Sequence, residues 1–209
     1  MRTLVVNCYR EKAEEKIKGY LAQAERFSDP HEVPWGVLER AFDLETYSAI
    51  VISGSQWLLS VEEPAGPLAE FVRHLKLPTL GICFGHQLFA RTFGAQVLAG
   101  ELIERRETVL VAEPTPLFQG LGPEAEFLES HREYVDAGAI ERAGWHVTAR
   151  SASCPVEAMH HPTRPLYGVQ FHPERSGVNG DKLFDNFYNQ IVFPIVKGTY
   201  QHPHGRSYR

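Results

Sequence analysis

The sequence has few cysteines, no long apolar run and no excess of basic residues. Its three cysteines, Cys8, Cys83 and Cys154, are far apart and form no Cys-x-x-Cys pair, which favours a reducing compartment over a disulfide framework. No stretch approaches the length that spans a membrane, and charged residues follow the first apolar run too soon for a signal peptide. The net charge of −5 gives no electrostatic footprint for nucleic acid or for an anionic membrane. We therefore expect a cytoplasmic protein with neither nucleic-acid nor membrane partners.

The sequence also lacks the short motifs of nucleotide and metal sites. Neither a Gly-x-Gly-x-x-Gly sequence nor a Walker sequence occurs, so no nucleotide cofactor is expected. Histidines occur as the pair His160 and His161 and, near the end, as His202 and His204, without a cysteine or carboxylate cluster at ligand spacing around them. The sequence therefore predicts no metal and no cofactor.

The 209 residues have the length of one domain of ordinary size. Compact apolar runs at residues 3–7 and 49–52 predict central strands that are buried on both faces. Between them, residues 12–27 have the spacing of an amphipathic helix. We predict one domain over residues 1–197, followed by a polar and loosely held tail over residues 198–209.

Later segments predict further elements of the same domain. Ser60, followed three residues later by Glu63, has the pattern of a capping box and predicts that a helix begins there. Residues 100–113 predict antiparallel strands, and residues 182–195 predict a closing helix.

The stretch at residues 80–88, Leu-Gly-Ile-Cys-Phe-Gly-His-Gln-Leu, joins an apolar strand to a helix-forming segment. Gly81 and Gly85 flank Cys83 and leave room for a side chain that stands clear of a tight turn. The helix that begins after Cys83 offers unpaired N–H groups, which favour a thiolate. Cys83 is thus a candidate nucleophile, although a buried cysteine in such a turn can also be a packing residue.

A second stretch, residues 167–174, has the sequence Tyr-Gly-Val-Gln-Phe-His-Pro-Glu and reads as a short strand that ends in a histidine. A cysteine nucleophile needs a base, and the base needs a third group that orients its ring. His172 is the candidate base and Glu174 the candidate orienting group. The sequence therefore predicts a Cys83, His172 and Glu174 triad.

Together, the two stretches resemble the class I (triad) glutamine amidotransferase domain, whose catalytic cysteine, histidine and glutamate hold these motif positions. Residues 153–159 resemble the amidotransferase of GMP synthase, whereas residues 174–177 are similar to the imidazole glycerol phosphate synthase branch. The resemblance implies a three-layer α/β fold with a mainly parallel central sheet flanked by helices, flavodoxin-like in arrangement. It also implies an active site at the carboxyl ends of the strands.

The resemblance implies an oxyanion hole built from backbone amides. In the family, one donor lies in a Gly-Gly-Pro-like turn and the other follows the nucleophile. The matching turn here is Ser-Gly-Ser-Gln at residues 53–56, so the donors are the amides of Phe84 and of either Ser55 or Gly54.

The resemblance also implies contacts with substrate glutamine. Gln87 lies one helical turn beyond Cys83 and holds the position of the family's substrate-binding glutamine. Residues 127–135 resemble the family's Ser-His-x-Asp-x-Val segment, which implicates Ser130, His131 and Arg132, chiefly through main-chain atoms.

The activity implied by the resemblance is glutaminase hydrolysis of L-glutamine to glutamate and ammonia through a γ-glutamyl thioester on Cys83. The sequence carries no synthetase portion, so we expect ammonia to pass to a separate synthetase-type acceptor protein, as in a GMP synthase-like system. One alternative is a hydrolase of γ-glutamyl amines or peptides that needs no partner. A second alternative is a non-catalytic regulatory module of the same fold.

Overall fold

The computed structural model describes residues 1–39, 42–64 and 66–202. Within these residues the chain forms nine strands that join in one sheet and seven α-helices. The strands are β1 (Arg2–Asn7), β2 (Asp29–Pro34), β3 (Ala49–Ile52), β4 (Thr79–Ile82), β5 (Val97–Val111), β6 (Glu124–Val135), β7 (His146–Arg150), β8 (Ala158–His160) and β9 (Leu166–Val169). The α-helices are α1 (Ala13–Lys16), α2 (Lys18–Glu25), α3 (Gly66–His74), α4 (Phe84–Thr92), α5 (Ala137–Arg142), α6 (Val178–Asn186) and α7 (Phe193–Val196).

The sheet has a parallel part and an antiparallel part. Its strand order is β2-β1-β3-β4-β9-β8-β7-β5-β6. The first five strands pair in parallel, and the remaining four continue the sheet in antiparallel pairs. The predicted α/β fold with a parallel central sheet is confirmed, and its nucleophile turn and histidine follow the adjacent strands β4 and β9.

Helices cover both faces of the parallel part, which gives the three layers. In β1, Leu4 and Val6 belong to the core beneath α3, α4 and α5, whereas Val5 belongs to the core beneath α2 and α6. Successive side chains of a strand point to opposite faces, so a strand buried on both sides consists of apolar residues throughout. This burial explains why residues 3–7 and 49–52 are predicted correctly from composition alone.

Two predicted helix boundaries are wrong. The segment at residues 12–27 forms two helices, α1 and α2, instead of one continuous helix. The predicted capping box at Ser60 does not start a helix, because α3 begins only at Gly66. The Ser60 backbone N–H instead donates to the carboxylate of Glu133, at 2.9 Å, which ties this loop to β6.

Residues 100–111 of the segment predicted as antiparallel strands, residues 100–113, belong to one 15-residue strand, β5, whose pairing with β6 shifts register between Ala99 and Ile103. We call this pair the β5–β6 ribbon. A sequence of alternating apolar and charged residues indicates extended backbone, but it does not show whether that backbone forms one long strand or two strands joined by a turn. The ribbon places β6 beside the segment that follows β9, where the His172 N–H donates to the Leu128 carbonyl at 2.9 Å.

The chain closes with helical residues that run from α6 through a π-helical turn at Phe187–Val192 into α7. Beyond them, Tyr200 and His202 are buried, and His202 donates from Nε2 to the His161 carbonyl at 3.2 Å. The expected loose attachment is therefore wrong for these two residues, while residues 203–209, including His204, lie outside the described part. The domain boundary at residue 197 stays a prediction.

Among the described helices, none combines the length and apolar character that crossing a bilayer demands.

Candidate active site

Cys83 sits at the junction of β4 and α4 with left-handed backbone, at φ 52° and ψ −100°. Two glycines let the strand and the helix approach closely enough to form this turn. A Cβ atom at Gly85 would lie 2.6 Å from the Ile52 carbonyl oxygen, and one at Gly81 would lie 2.7 Å from the Gly85 carbonyl group. The predicted strand, turn and helix are therefore present, with the sulfur at the apex.

His172 and Glu174 meet Cys83 in the arrangement that the motif predicts. The His172 Nδ1–H donates to Glu174 Oε1 at 2.7 Å, and the two side chains are only 5% and 2% exposed. Since Nδ1 donates to the carboxylate, Nε2 is the ring atom available to Cys83, which lines the same cavity and acts on the pKa of His172. The short 3-10 helix at Pro173–Arg175 turns the chain so that the carboxylate lies beside the ring.

The surroundings of His172 favour its charged form. Burial acts to lower the pKa of His172, but the charges of Glu174 and of the Cys83 thiolate, together with hydrogen bonds to both, hold that pKa well above its ordinary value. A protonated His172 beside Cys83 is the proton donor that an amide leaving group needs.

A pair of tyrosines supports the histidine from α2 and from the end of β1. The Tyr20 hydroxyl lies 3.4 Å from His172 Nδ1 and 3.0 Å from the Tyr9 hydroxyl. Burial first, and then the charge of Glu174, raises the pKa of Tyr20 well above its ordinary value, so this hydroxyl stays neutral. This role was not predicted, because a tyrosine on an apolar helix face looks like a core residue.

The turn after β3 holds one set of the predicted oxyanion donors. The Gly54 N–H donates to the Tyr20 hydroxyl at 3.1 Å, so it is not available to a substrate oxyanion. The Ser55 side chain donates to the Cys8 carbonyl at 2.7 Å, which fixes the turn. Of the two residues left open by the sequence, Ser55 is therefore the better partner for the amide of Phe84, the first residue of α4.

Two cavities, of about 580 Å³ and 280 Å³, meet at Cys83. Cys83 Sγ lies 3.9 Å from the carbonyl oxygen of Ser130, a residue that forms part of the wall of both. The larger cavity is lined by Tyr9, Glu15, Lys16, Gly19, Ser55, Gln56, Cys83, Glu104, Ser130, His172, Glu174 and Arg175. The smaller cavity is lined by Ser55, Gln56, Trp57, Leu58, Cys83, Gln87, Leu102, Ser130, His131, Arg132 and Glu133, a set that includes all four predicted substrate-binding residues.

Gln170 is a further polar group at the nucleophile. It is fully buried, and its Nε2–H donates to Cys83 Sγ at 3.6 Å. The Gln87 side chain donates to Gln170 Oε1 at 3.1 Å and to the Glu133 carbonyl at 3.0 Å, which leaves Gln87 Oε1 as the free acceptor of that amide. No role was predicted for Gln170, although a polar residue in the middle of an apolar stretch of sequence is a signal that points to a buried polar contact.

The chain contains a second histidine with an acid two residues later, His131 with Glu133. This pair does not form a second triad, because the Glu133 carboxylate accepts the backbone N–H groups of Leu59 and Ser60, each at 2.9 Å. His131 Nδ1–H donates to the Glu133 main-chain carbonyl, at 3.0 Å, and not to its carboxylate. The sequence spacing is the same as at His172, but the carboxylate is used to fix a loop.

Comparison with known proteins gives a consistent set of matches. The family model of glutamine amidotransferase class-I matches residues 5–191. The chain is 39% identical over 146 residues to the A subunit of GMP synthase (glutamine-hydrolyzing) of Methanosarcina acetivorans, covering 69% of this chain and 74% of that protein. It is 33% identical over 200 residues to GMP synthase (glutamine-hydrolyzing) of Thermosipho melanesiensis, covering 92% of this chain but only 36% of that longer protein.

Solved structures show the same fold. A crystal structure from Thermoplasma acidophilum, assigned as the A subunit of GMP synthase, has a TM-score of 0.75 and 26% identity, covering 90% of this chain and 92% of that one. A glutamine amidotransferase from Thermotoga maritima has a TM-score of 0.67 over 94% of this chain and 85% of that one. At 19% identity, the second match is a likeness of fold alone.

Proposed function

Because the chain belongs to the glutamine amidotransferase class-I family, we propose that it hydrolyses the side-chain amide of L-glutamine with Cys83 as the nucleophile. Family membership confirms the resemblance predicted from the two motifs, and the protein is an enzyme of this class. The observation that supports the proposed roles is the buried pair of His172 and Glu174, joined at 2.7 Å, which lines one cavity together with Cys83.

The proposed reaction begins with attack of the Cys83 thiolate on the side-chain carbonyl carbon of glutamine. A carbon–sulfur bond forms, and the charge moves to the carbonyl oxygen, where the amides of Ser55 and Phe84 stabilise it. The His172 imidazolium then gives its proton to the amide nitrogen, the carbon–nitrogen bond breaks, and ammonia leaves a γ-glutamyl thioester behind.

Hydrolysis of the thioester completes the cycle. Neutral His172 takes a proton from water as the water oxygen attacks the thioester carbon. The carbon–sulfur bond breaks, glutamate leaves, and the thiolate and imidazolium are restored. Throughout, Glu174 holds the ring in one tautomer and balances its charge.

The 280 Å³ cavity is the proposed site for the amino-acid end of glutamine. Its walls offer the main chain of Ser130, His131 and Arg132 and the free side-chain oxygen of Gln87. The α-amino group of glutamine needs acceptors and its α-carboxylate needs donors, and both kinds of group are present there.

The proposed fate of ammonia is transfer to a separate synthetase of the GMP synthase type. Two features support this: the relatives that are named as one subunit of GMP synthase, and a longer relative in which a region like this chain makes up 36% of the protein. The larger cavity shares Cys83 with the substrate pocket and has charged residues at its wall. We expect the rate of ammonia release from glutamine to rise when the synthetase subunit of a GMP synthase is added.

A second candidate activity is hydrolysis of γ-glutamyl amines, since a cavity of about 580 Å³ beside the sulfur has room for a leaving group larger than ammonia. The two activities are separated by comparing kcat/KM for glutamine with that for a γ-glutamyl alkylamine, with and without the synthetase subunit. A higher kcat/KM for the γ-glutamyl alkylamine, unchanged when the synthetase subunit is added, would favour the second activity.

The direct test is release of glutamate and ammonia from glutamine together with labelling of Cys83 by a diazo-ketone analogue of glutamine. We expect Cys83→Ala to lose both, and Cys8→Ala, which alters another buried cysteine, to keep both. Absence of label in folded protein, with or without a synthetase subunit, would overturn the proposal and favour a non-catalytic role.

A further inference from the structure

A cluster of buried ligand-type side chains lies behind the wall of the substrate pocket. Side chains alternate along β6, so Glu129 and His131 face away from Ser130 and toward the segment between β7 and β8. That segment brings in Cys154 and Glu157. We call Glu129, His131, Cys154 and Glu157 the buried cluster, and their exposed fractions are 0%, 7%, 1% and 0%.

Three of the four ligand atoms lie close enough together to hold one metal ion, and the fourth residue, Glu129, lies beside the histidine. His131, Cys154 and Glu157 each offer an atom within 4.8 Å of the others. Glu129 Oε2 lies 3.3 Å from His131 Nε2. Such a combination of nitrogen, sulfur and carboxylate oxygen is not expected inside a core unless it has a partner that satisfies it.

These atoms have few partners among the described residues. Both carboxyl oxygens of Glu129, both of Glu157, and His131 Nε2 are buried without a hydrogen bond of normal geometry, although Glu157 interacts with Glu129 and with the Ser151 side chain. His131 Nδ1 carries the proton, because it donates to the Glu133 carbonyl oxygen, which can only accept. The lone pair of Nε2 therefore faces carboxyl oxygens, and only protons or a cation can satisfy that arrangement.

We propose that the buried cluster binds zinc, with His131 Nε2, Cys154 Sγ and one oxygen each of Glu129 and Glu157 as ligands. Zinc takes four such ligands in a tetrahedron, in which nitrogen and oxygen ligands are about 3.4 Å apart. The observed separation between His131 Nε2 and Glu129 Oε2 is 3.3 Å. The hydrogen bond from Nδ1 to a backbone carbonyl is the support that zinc-binding histidines usually have.

A dication would meet the negative charge of the cluster. Three ionised ligands exceed the charge of zinc by one; of the charges that also act on Glu129, Arg105 offsets that excess, whereas Glu107, 3.6 Å from Arg105, adds to it. Burial raises the pKa of Glu129 to about 8 and holds the pKa values of Glu157 and Cys154 well above their ordinary values, so without a cation the cluster holds protons. Zinc binding releases those protons.

All four positions are filled by protein, so the site would be structural and not catalytic. The metal would join β6 to the segment before β8, and both support the nucleophile. The carbonyl oxygen of Ser130, on β6, lies 3.9 Å from Cys83 Sγ. The backbone N–H of Gln170 donates to the main-chain carbonyl of Glu157 at 2.8 Å. The inference departs from the sequence expectation of no metal, which considered His160, His161, His202 and His204.

The test uses the full chain with Cys83→Ser, because Cys83 and His172 could themselves bind a soft metal. Metal-free protein is titrated with CoCl2, whose bond to a thiolate gives a charge-transfer band and whose four-coordinate form absorbs strongly in the visible range. We expect one equivalent of cobalt with both features, displaced by one equivalent of zinc.

Matched variants in the same Cys83→Ser background identify the ligands. Adding Cys154→Ser should remove the charge-transfer band, whereas adding Cys8→Ser should leave it intact. If Cys154→Ser does not fold, Glu157→Gln keeps the shape of the side chain and should weaken zinc binding at least about tenfold. Zinc should also raise the Tm of the Cys83→Ser protein, and much less that of its Glu157→Gln variant.

Two results would overturn the proposal. One is the absence of stoichiometric cobalt or zinc binding by folded Cys83→Ser protein. The other is a charge-transfer band that survives Cys154→Ser. Either result would leave the buried cluster as a set of carboxyl groups that share protons, and neither bears on glutamine hydrolysis, which is measured with Cys83 in place.

Discussion

Gln170 donates an N–H to the sulfur of Cys83 across 3.6 Å, and its carbonyl oxygen is held at 3.1 Å by the side chain of Gln87. The nucleophile thus has a neutral donor in addition to the imidazolium of His172. Because Gln87 lies on α4 and Gln170 follows β9, this pair also joins the two elements that carry the proposed catalytic groups.

Replacing Gln170 should slow the reaction without unfolding the protein. Gln170→Met keeps the volume but removes the donor to the thiolate and the acceptor for Gln87. A hydrogen bond to a charged group contributes about 1.5–3 kcal/mol, so kcat/KM for glutamine should fall about 10- to 100-fold. An unchanged kcat/KM in a folded Gln170→Met protein would show that the contact with Cys83 has no part in the reaction.

Glu174→Gln should move the alkaline limb of the pH profile. The His172 pKa is held well above its ordinary value, in part by the charge of Glu174. The proton that His172 gives to ammonia is present below that pKa and is lost as pH rises through it, so removing the charge should shift the loss of kcat to lower pH. Glu104→Gln removes an equal charge from the wall of the same cavity and should leave the limb in place.

The same shift has a consequence for stability. Folded His172 binds its proton more tightly than unfolded histidine, whose pKa is about 6.5, so its contribution is full below that value and declines as pH rises through the folded pKa. Urea unfolding at several pH values should therefore show a weaker decline for Glu174→Gln than for the wild-type protein. Parallel declines would contradict the assigned pKa shift.

Glu133→Gln should loosen the loop beside the substrate pocket. The Glu133 carboxylate accepts the N–H groups of Leu59 and Ser60, whereas an amide has only one oxygen and would turn an N–H toward a donor. We expect a loss of about 1–3 kcal/mol in the free energy of unfolding and a higher KM for glutamine. Glu126→Gln, at an exposed position on the same strand, should change neither, and equal effects of both variants would be evidence against the loop contact.

Gly85→Ala should destabilise the nucleophile turn. A Cβ atom there would lie 2.6 Å from the Ile52 carbonyl oxygen, and this backbone atom cannot move aside without shifting β3. Overpacking of this kind costs about 1–3 kcal/mol or more, measured as a lower midpoint of denaturation. Gly66→Ala is the matched control, since a Cβ atom at that position, at the start of α3, would have nothing within 4 Å.

The features predicted correctly from the sequence are those that depend on neighbouring residues in the chain. Ala49–Ile52 was predicted with its bounds, because a strand buried on both faces must be apolar at each position. The three triad residues were predicted because nucleophile, base and orienting acid need particular residue types at particular turns, and the structure brings them together.

What the sequence did not predict depends on contacts between distant segments. Ser60 fits a capping box, but its backbone N–H is taken by a carboxylate 73 residues away. Tyr20 fits an apolar helix face, yet its hydroxyl meets His172, 152 residues later in the chain. Cys154 and Glu157 lie near His131 only because β6 and the segment before β8 face each other in the folded sheet.

The positive φ of Cys83 lowers the stability of the folded protein at the position that holds the proposed nucleophile. A residue with a side chain in such a sparsely populated region costs about 1–3 kcal/mol, whereas glycine adopts it readily. A Cys83→Gly protein would avoid this cost but would lose the sulfur. Such an inactive variant would then have a higher Tm than the wild-type protein. Selection for heat tolerance alone would therefore favour loss of the sulfur atom to which the proposed reaction is assigned.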